Sequence, residues 1–224
     1  TYMGVTTVND GVLQITGGNA IVDTGAVVVN APGQLQVFAS ESIGSLASNG
    51  SILISGGSTL TTGLDNTNTT FSGVISEQLG SAILIKQGTG NFTLSGANTY
   101  SGPTNVNGGT LTLAGGSAIA NTGAVTVAGG ATLALLASEQ IGSLAGAGTL
   151  SLGANTLTTG GASNTSFTGT TSGAGGITKV GTGKFSTGAL ANTGTNTINA
   201  GEMNVNGNVA GSVVVNSGGT LSGT

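Results

Sequence analysis

The sequence predicts an all-β protein, a parallel β-solenoid of about eleven coils of ~20 residues. Three observations predict it. Short runs alternate apolar and polar residues with period two, corresponding runs return after about one coil's length, and a long stretch of the chain repeats itself. The alternating runs are Leu13-x-Ile15, Val27-x-Val29, Leu35-x-Val37 and Ile52-x-Ile54, answered later by Leu111-x-Leu113, Val125-x-Val127, Leu133-x-Leu135 and Leu150-x-Leu152. Alternation of Val, Ile, Leu and Thr is the strand signal, and no segment sustains a 3.6-residue period. Clusters such as Asn107-Gly108-Gly109 and Gly129-Gly130 punctuate the runs with residues that tolerate tight turns.

The return distance follows from Leu111, Leu133 and Leu150, which stand 22 and 17 residues apart. The self-similarity is longer. Sliding the chain by 98 places aligns Gly11–Leu46 with Gly109–Leu144, and 19 of those 36 positions are identical. The sequence therefore divides into units 1–10 (partial), 11–108, 109–200 and 201–224 (partial), all within one solenoid segment spanning 1–224 that is expected to be a piece of something larger. One coil cannot stand alone: ordering its backbone costs roughly 1–2 kcal/mol per residue, while four to six inward aliphatics return only about 1.5–3 kcal/mol each. Stacking supplies the difference. At a ~4.8 Å spacing the coils make a rod roughly 50 Å long. A β-sandwich of short strands is the alternative, but it leaves the long-range repetition unexplained.

Composition narrows the function. Of 224 residues 44 are glycine, ten are charged, and Arg, His, Cys and Trp are absent. No Ser-His-Asp triad, thiol nucleophile, His-ligated zinc or disulfide can be built. With a net charge of −4 and few aromatics, the chain lacks what nucleic acid requires, so that partner is excluded. Collagen would need far more than two prolines, and a disordered chain would be less hydrophobic than 37%.

The stretch Lys86–Leu111 reads KQGTGNFTLSGANTYSGPTNVNGGTL. It resembles the passenger-associated transport repeat of autotransporter proteins. Thr1–Leu13 resembles the tail of another copy. Lys179–Met203 resembles a third, keeping Lys179, Gly181, Gly183, Phe185, Asn192, Thr193 and Gly201 but with Gly194 in place of the tyrosine and Met203 in place of the leucine. The resemblance implies a right-handed parallel β-helix, exported through the outer membrane of a Gram-negative bacterium and displayed on the cell surface or released outside. It further implies a translocator elsewhere in the parent chain, and a role in secretion and folding of the passenger. The function expected is a structural stalk that also supports adhesion. Expected partners are a second copy of the chain, giving a self-associating adhesin, and host or matrix glycans and proteins. The reading from another class is a carbohydrate-active β-helix enzyme or a glycan-binding module.

Candidate sites are few. Gly88-x-Gly90 and Gly181-x-Gly183 invite a nucleotide-loop reading, but Thr93 and Ser186 stand where a third glycine is needed, so turn glycines are the expectation. The seven carboxylates are Asp10, Asp23, Glu41, Asp65, Glu77, Glu139 and Glu202. No two are neighbours; Glu41 and Glu139 are equivalent across the repeat but about five coils apart (roughly 24 Å). They are expected at solvated turns. Lys86 and Lys179 occupy matching positions and are expected as solubilising residues near a turn. Asn68, Asn91 and Asn164 head Asn-x-Thr/Ser triplets of the kind chance supplies in such a chain. Asn9, Asn30 and Asn49 are predicted to stack as a short amide ladder. Catalytic, cofactor-binding and metal-ligating residues are none, and no cofactor is expected.

Overall fold

The computed structural model describes residues 4–223, and these form a β-solenoid with no helix. Every strand pairing is parallel, and each strand pairs with one lying a single winding away in sequence: Leu13 opposes Leu35, Leu35 opposes Ile52 and Ile52 opposes Ile75. The strands stack into about eleven turns.

Three faces run the length of the rod. The first begins with the sheet of Thr6–Val8, Ala26–Val29 and Ser45–Ala47 and passes through a parallel bridge between Ser48 and Phe71. It continues as the six-stranded sheet from Thr69–Phe71 to Thr170–Ser172. The second begins with the four-stranded sheet from Val12–Ile15 to Val74–Gln78 and resumes as the five-stranded sheet from Glu139–Ile141 to Val213–Val215. Between these two sheets the stack is bridged outside strands, by Asn98 and by the Ser117–Ile119 segment. The third face is a single ten-stranded sheet from Glu41–Ser42 to Gly219–Gly223.

Alternation decides which side chains point inward. In Gln34–Val37, Leu35 and Val37 are buried while the glutamines between them are half-exposed, and Ser51–Ser55 repeats the pattern with Ile52 and Ile54. The core is therefore a stack of aliphatic rungs. Phe71, Phe92, Phe167, Phe185 and Tyr100 are aromatic side chains buried among them.

The 98-residue sequence unit is not a whole number of windings. At about 21 residues per winding it is roughly four and two-thirds turns, so equivalent residues land on different faces. Leu13 lies on the second face and Leu111 on the first; Glu41 lies on the third and Glu139 on the second.

Candidate functional site: buried charged clasps between coils

Lys86 and Lys179 are not solubilising surface residues. Each is buried, 0% and 1% exposed, at an inward position of its strand. A lysine in a core needs its ammonium protons satisfied. Lys86 Nζ donates to the carbonyl oxygens of Gln87 at 2.6 Å, Gly88 at 3.3 Å and Gly108 at 3.2 Å. Lys179 Nζ repeats the cage with Val180 at 2.6 Å, Gly181 at 2.8 Å and Ala200 at 3.2 Å. Burial pushes both amines below the usual lysine range, and for Lys86 the Asp65 charge opposes that shift.

Small residues make room for the cage. Gly63, with φ +106°, sits where a Cβ would lie 2.1 Å from the Gln87 carbonyl oxygen and 3.1 Å from Lys86 Nζ. Gly160, with φ +131°, holds the same place beside Val180 and Lys179. The glycines of Gly88-x-Gly90 and Gly181-x-Gly183 are turn glycines, as expected: a Cβ on Gly88 would approach the Gly63 carbonyl oxygen to 1.9 Å. These corners bring successive windings too close for a side chain.

Four of the seven carboxylates also depart from the solvated-turn expectation: Glu77 and Glu202 stand half-buried within the strands Val74–Gln78 and Gly201–Val205, and Glu41 and Glu139 are buried. Glu41 and Glu139 are each 3% exposed. Glu41 accepts the N–H groups of Ala20 at 3.1 Å and Ile21 at 2.8 Å; Glu139 accepts those of Ala118 at 3.2 Å and Ile119 at 3.0 Å. Each carboxylate thus ties its strand to a loop one winding earlier. The preceding serine works in the opposite direction. Ser40 Oγ accepts Thr59 N–H and Ser138 Oγ accepts Thr156 N–H, both at 3.0 Å and one winding later. Burial raises the Glu139 carboxyl above the usual range, partly offset by its two N–H donors.

Asp65 is engaged locally, whereas Glu77 and Glu202 take partners from neighbouring windings. Asp65 accepts from Thr67 N–H and hydroxyl at 3.0 and 2.8 Å. Burial alone would raise its pKa, but these bonds and one from the Ser45 side chain hold it low. Glu77 behaves alike, with burial outweighed by donors from Ser101 and Ala82. Glu202 receives the Ser222 hydroxyl and pairs with Lys184 at 3.0 Å, and both lower its pKa. Among the described residues no three acids gather as a metal cluster.

Asparagines supply the remaining stitches. Asn98 Oδ1 accepts Ile75 N–H at 2.7 Å while its Nδ2 donates to the Ala118 carbonyl at 2.8 Å, so one buried amide bonds three consecutive windings. Asn30 Nδ2 donates to Asn9 Oδ1 at 2.8 Å, the first rung of the predicted ladder. Asn49 departs from it, giving its Oδ1 to Ala31 N–H instead. The triplet asparagines Asn68 and Asn164 accept the N–H groups of Asn91 and Lys184 one winding later.

Tyr100 is fully buried and its hydroxyl lies 2.7 Å from Thr104 Oγ1. Burial raises the phenol pKa, the Thr104 bond opposes this, and the Glu139 charge adds to it. Beside Lys179 the rung that Thr104 occupies beside Lys86 carries Asn196, which accepts Ile177 N–H and receives Asn192 Nδ2 at 3.1 Å. One surface groove of about 420 Å³, near Asn121, Thr122, Gln140 and Ser143, contains neither a carboxylate nor an aromatic ring, and another of the same size is lined by the single carboxylate Asp23.

Comparison with known proteins finds a match to the family model described as passenger-associated-transport-repeat over residues 1–15 and 84–113. Thr1–Met3 of the first stretch lie outside the described residues; the second contains the whole Lys86 cage, Asn98, Tyr100 and Thr104. No curated protein and no solved structure matches the chain. With the repeat model matched over these two stretches, the second holding the Lys86 cage, and all strands stacked in parallel turns, the match and the fold together support a repeat domain of the autotransporter passenger type.

Proposed function

We propose that the chain is the β-helical stalk of a secreted or cell-surface autotransporter-type protein of a Gram-negative bacterium, supporting export and folding and holding adhesive parts away from the outer membrane. The observation that carries this reading is the use made of its buried charges. Glu41, Glu139, Lys86 and Lys179 bond backbone groups of neighbouring windings. Their chemistry serves cohesion along the rod. Turnover on a polysaccharide panel, lost on mutating one acid, is the result that reverses the reading in favour of a carbohydrate-active enzyme.

Export support is tested in the parent protein. Lys86→Met combined with Asn98→Ala is expected to lower the passenger reaching the surface of whole cells, with the translocator level in the outer membrane unchanged. Equal surface display of variant and wild type overturns it.

A second reading is self-association. Uncharged rows of amides and hydroxyls run along the exterior, including Gln14 to Gln36 at 3.2 Å, Asn216 to Asn199 at 2.7 Å, and Thr149 to Thr170 at 3.3 Å. A second copy offers complementary donors and acceptors at the same spacing. Sedimentation over a concentration series decides, a strict monomer at high concentration ruling it out.

A further inference from the structure

The charged clasps stand in a fixed order. On the third face Glu41 opposes Leu60, which opposes Leu84; two residues along, Thr62 opposes Lys86, which opposes Val106. On the second face Glu139 opposes Leu157, which opposes Ile177; two residues along, Ile141 opposes Thr159, which opposes Lys179. Each unit therefore contains a three-winding cassette: Ser-Glu on the first, Thr-Thr-Gly on the second, and the lysine on the third. The glutamate grips the winding before the cassette, and the lysine grips the winding after it.

That last grip is the informative one. Two carbonyls of each cage belong to the lysine's own turn, and the third, from Gly108 or Ala200, arrives with the next winding. The lysine's own carbonyl oxygen accepts an N–H from the same incoming segment, Asn107 at 2.8 Å or Asn199 at 2.9 Å. Before that segment docks, the amine faces carbonyls on one side only; afterwards it is covered completely. Without a cation, docking would bring three carbonyl oxygens together with no donor between them, which is unfavourable in a buried site.

We propose that the transport-repeat lysine is a cation latch, its ammonium being required for the following winding (residues 104–110 after Lys86, 196–201 after Lys179) to close onto the stack. The growing solenoid then passes each repeat through a step that a neutral side chain of equal length cannot complete. The latch belongs to the folded chain and holds whether or not the parent protein is exported.

Hydrogen exchange on the 224-residue chain tests it. In Lys86→Met the amides of Asn107 and Thr110 are expected to exchange at least tenfold faster, while those of Gln34 and Phe38 stay within twofold of wild type. In Lys86→Ala, n-propylammonium, which replaces the missing atoms and the charge, restores protection, whereas n-propanol does not. Wild-type exchange in the methionine variant, loss spread evenly over all windings, or equal rescue by the alcohol overturns the latch. If Lys86→Met fails to fold, recovery of the Lys86→Ala fold by n-propylammonium alone supports it, and failure of that recovery sinks it.

Discussion

Thr62 and Thr159 occupy the rungs immediately before the two caged lysines, each 1% exposed, with hydroxyl oxygens that have no hydrogen-bond partner. A buried hydroxyl without a partner costs about 1–3 kcal/mol. Thr62→Val keeps the branched shape and removes that group, so it is expected to raise stability by about 1 kcal/mol. Chemical denaturation reads the gain; a loss would mean that the hydroxyl has a partner in solution. Glu139 gives a pH signature. Its carboxyl is raised above the ordinary value of 4.5 in the folded chain. Its contribution is therefore fully present below 4.5 and lost as pH rises through the folded value. Asp65 and Glu77, lowered from 3.8 and 4.5, act oppositely: their contribution holds at higher pH and is lost as pH falls through their folded values. Stability is thus expected to rise slightly as pH falls from neutral toward 4.5 and to drop below it. Denaturation midpoints for Glu139→Gln should lack the rise and retain the drop.

Strands and their clasps form the next scale. Ser138 Oγ is the acceptor that ties Thr156 N–H to the winding before it. Ser138→Ala is expected to cost about 1 kcal/mol and to speed exchange of the Thr156 amide more than that of Val125, which lies about two windings back. Equal acceleration at both sites would assign the serine a global role instead. How much of this was legible in the chain varies with the distance over which each interaction acts. The strands were readable because alternation is local, and the winding length because Leu111, Leu133 and Leu150 mark it directly and do oppose one another. Burial of the charges was missed. Its signal was the phase of the same alternation: Lys86 stands two residues from Leu84, and Glu41 and Glu139 two from Ile43 and Ile141, all inward positions. Composition argued the other way, because a charge in a core is costly unless paired. The glutamates' backbone partners, and the third carbonyl of each lysine cage, lie about 20 residues away, which no motif spells out; the other two carbonyls of each cage belong to the next two residues. The Asn49 rung failed for a related reason, since its amide found a nearer backbone donor in Ala31.

At the scale of the whole molecule, charge contributes little on the surface. Lys184–Glu202 is the one ion pair among the described residues, and both side chains are about a third exposed. Raising sodium chloride from low to high concentration is expected to change the unfolding free energy by less than about 0.5 kcal/mol; a larger change would point to charged contacts along the rod beyond that pair. Small-angle scattering should return an elongated particle about 50 Å in its long dimension. The fractional winding of the sequence unit has a geometric result for anything that meets this rod from outside. Because each unit ends about a third of a turn short of closing, the two copies of any exterior feature point along azimuths roughly 120° apart. A flat surface lying against the stalk can engage one copy and not the other, whereas partners approaching from several sides each find an equivalent patch. Duplication of the unit therefore presents the same texture in several directions around the axis, and a broad footprint on any single side is not what it provides.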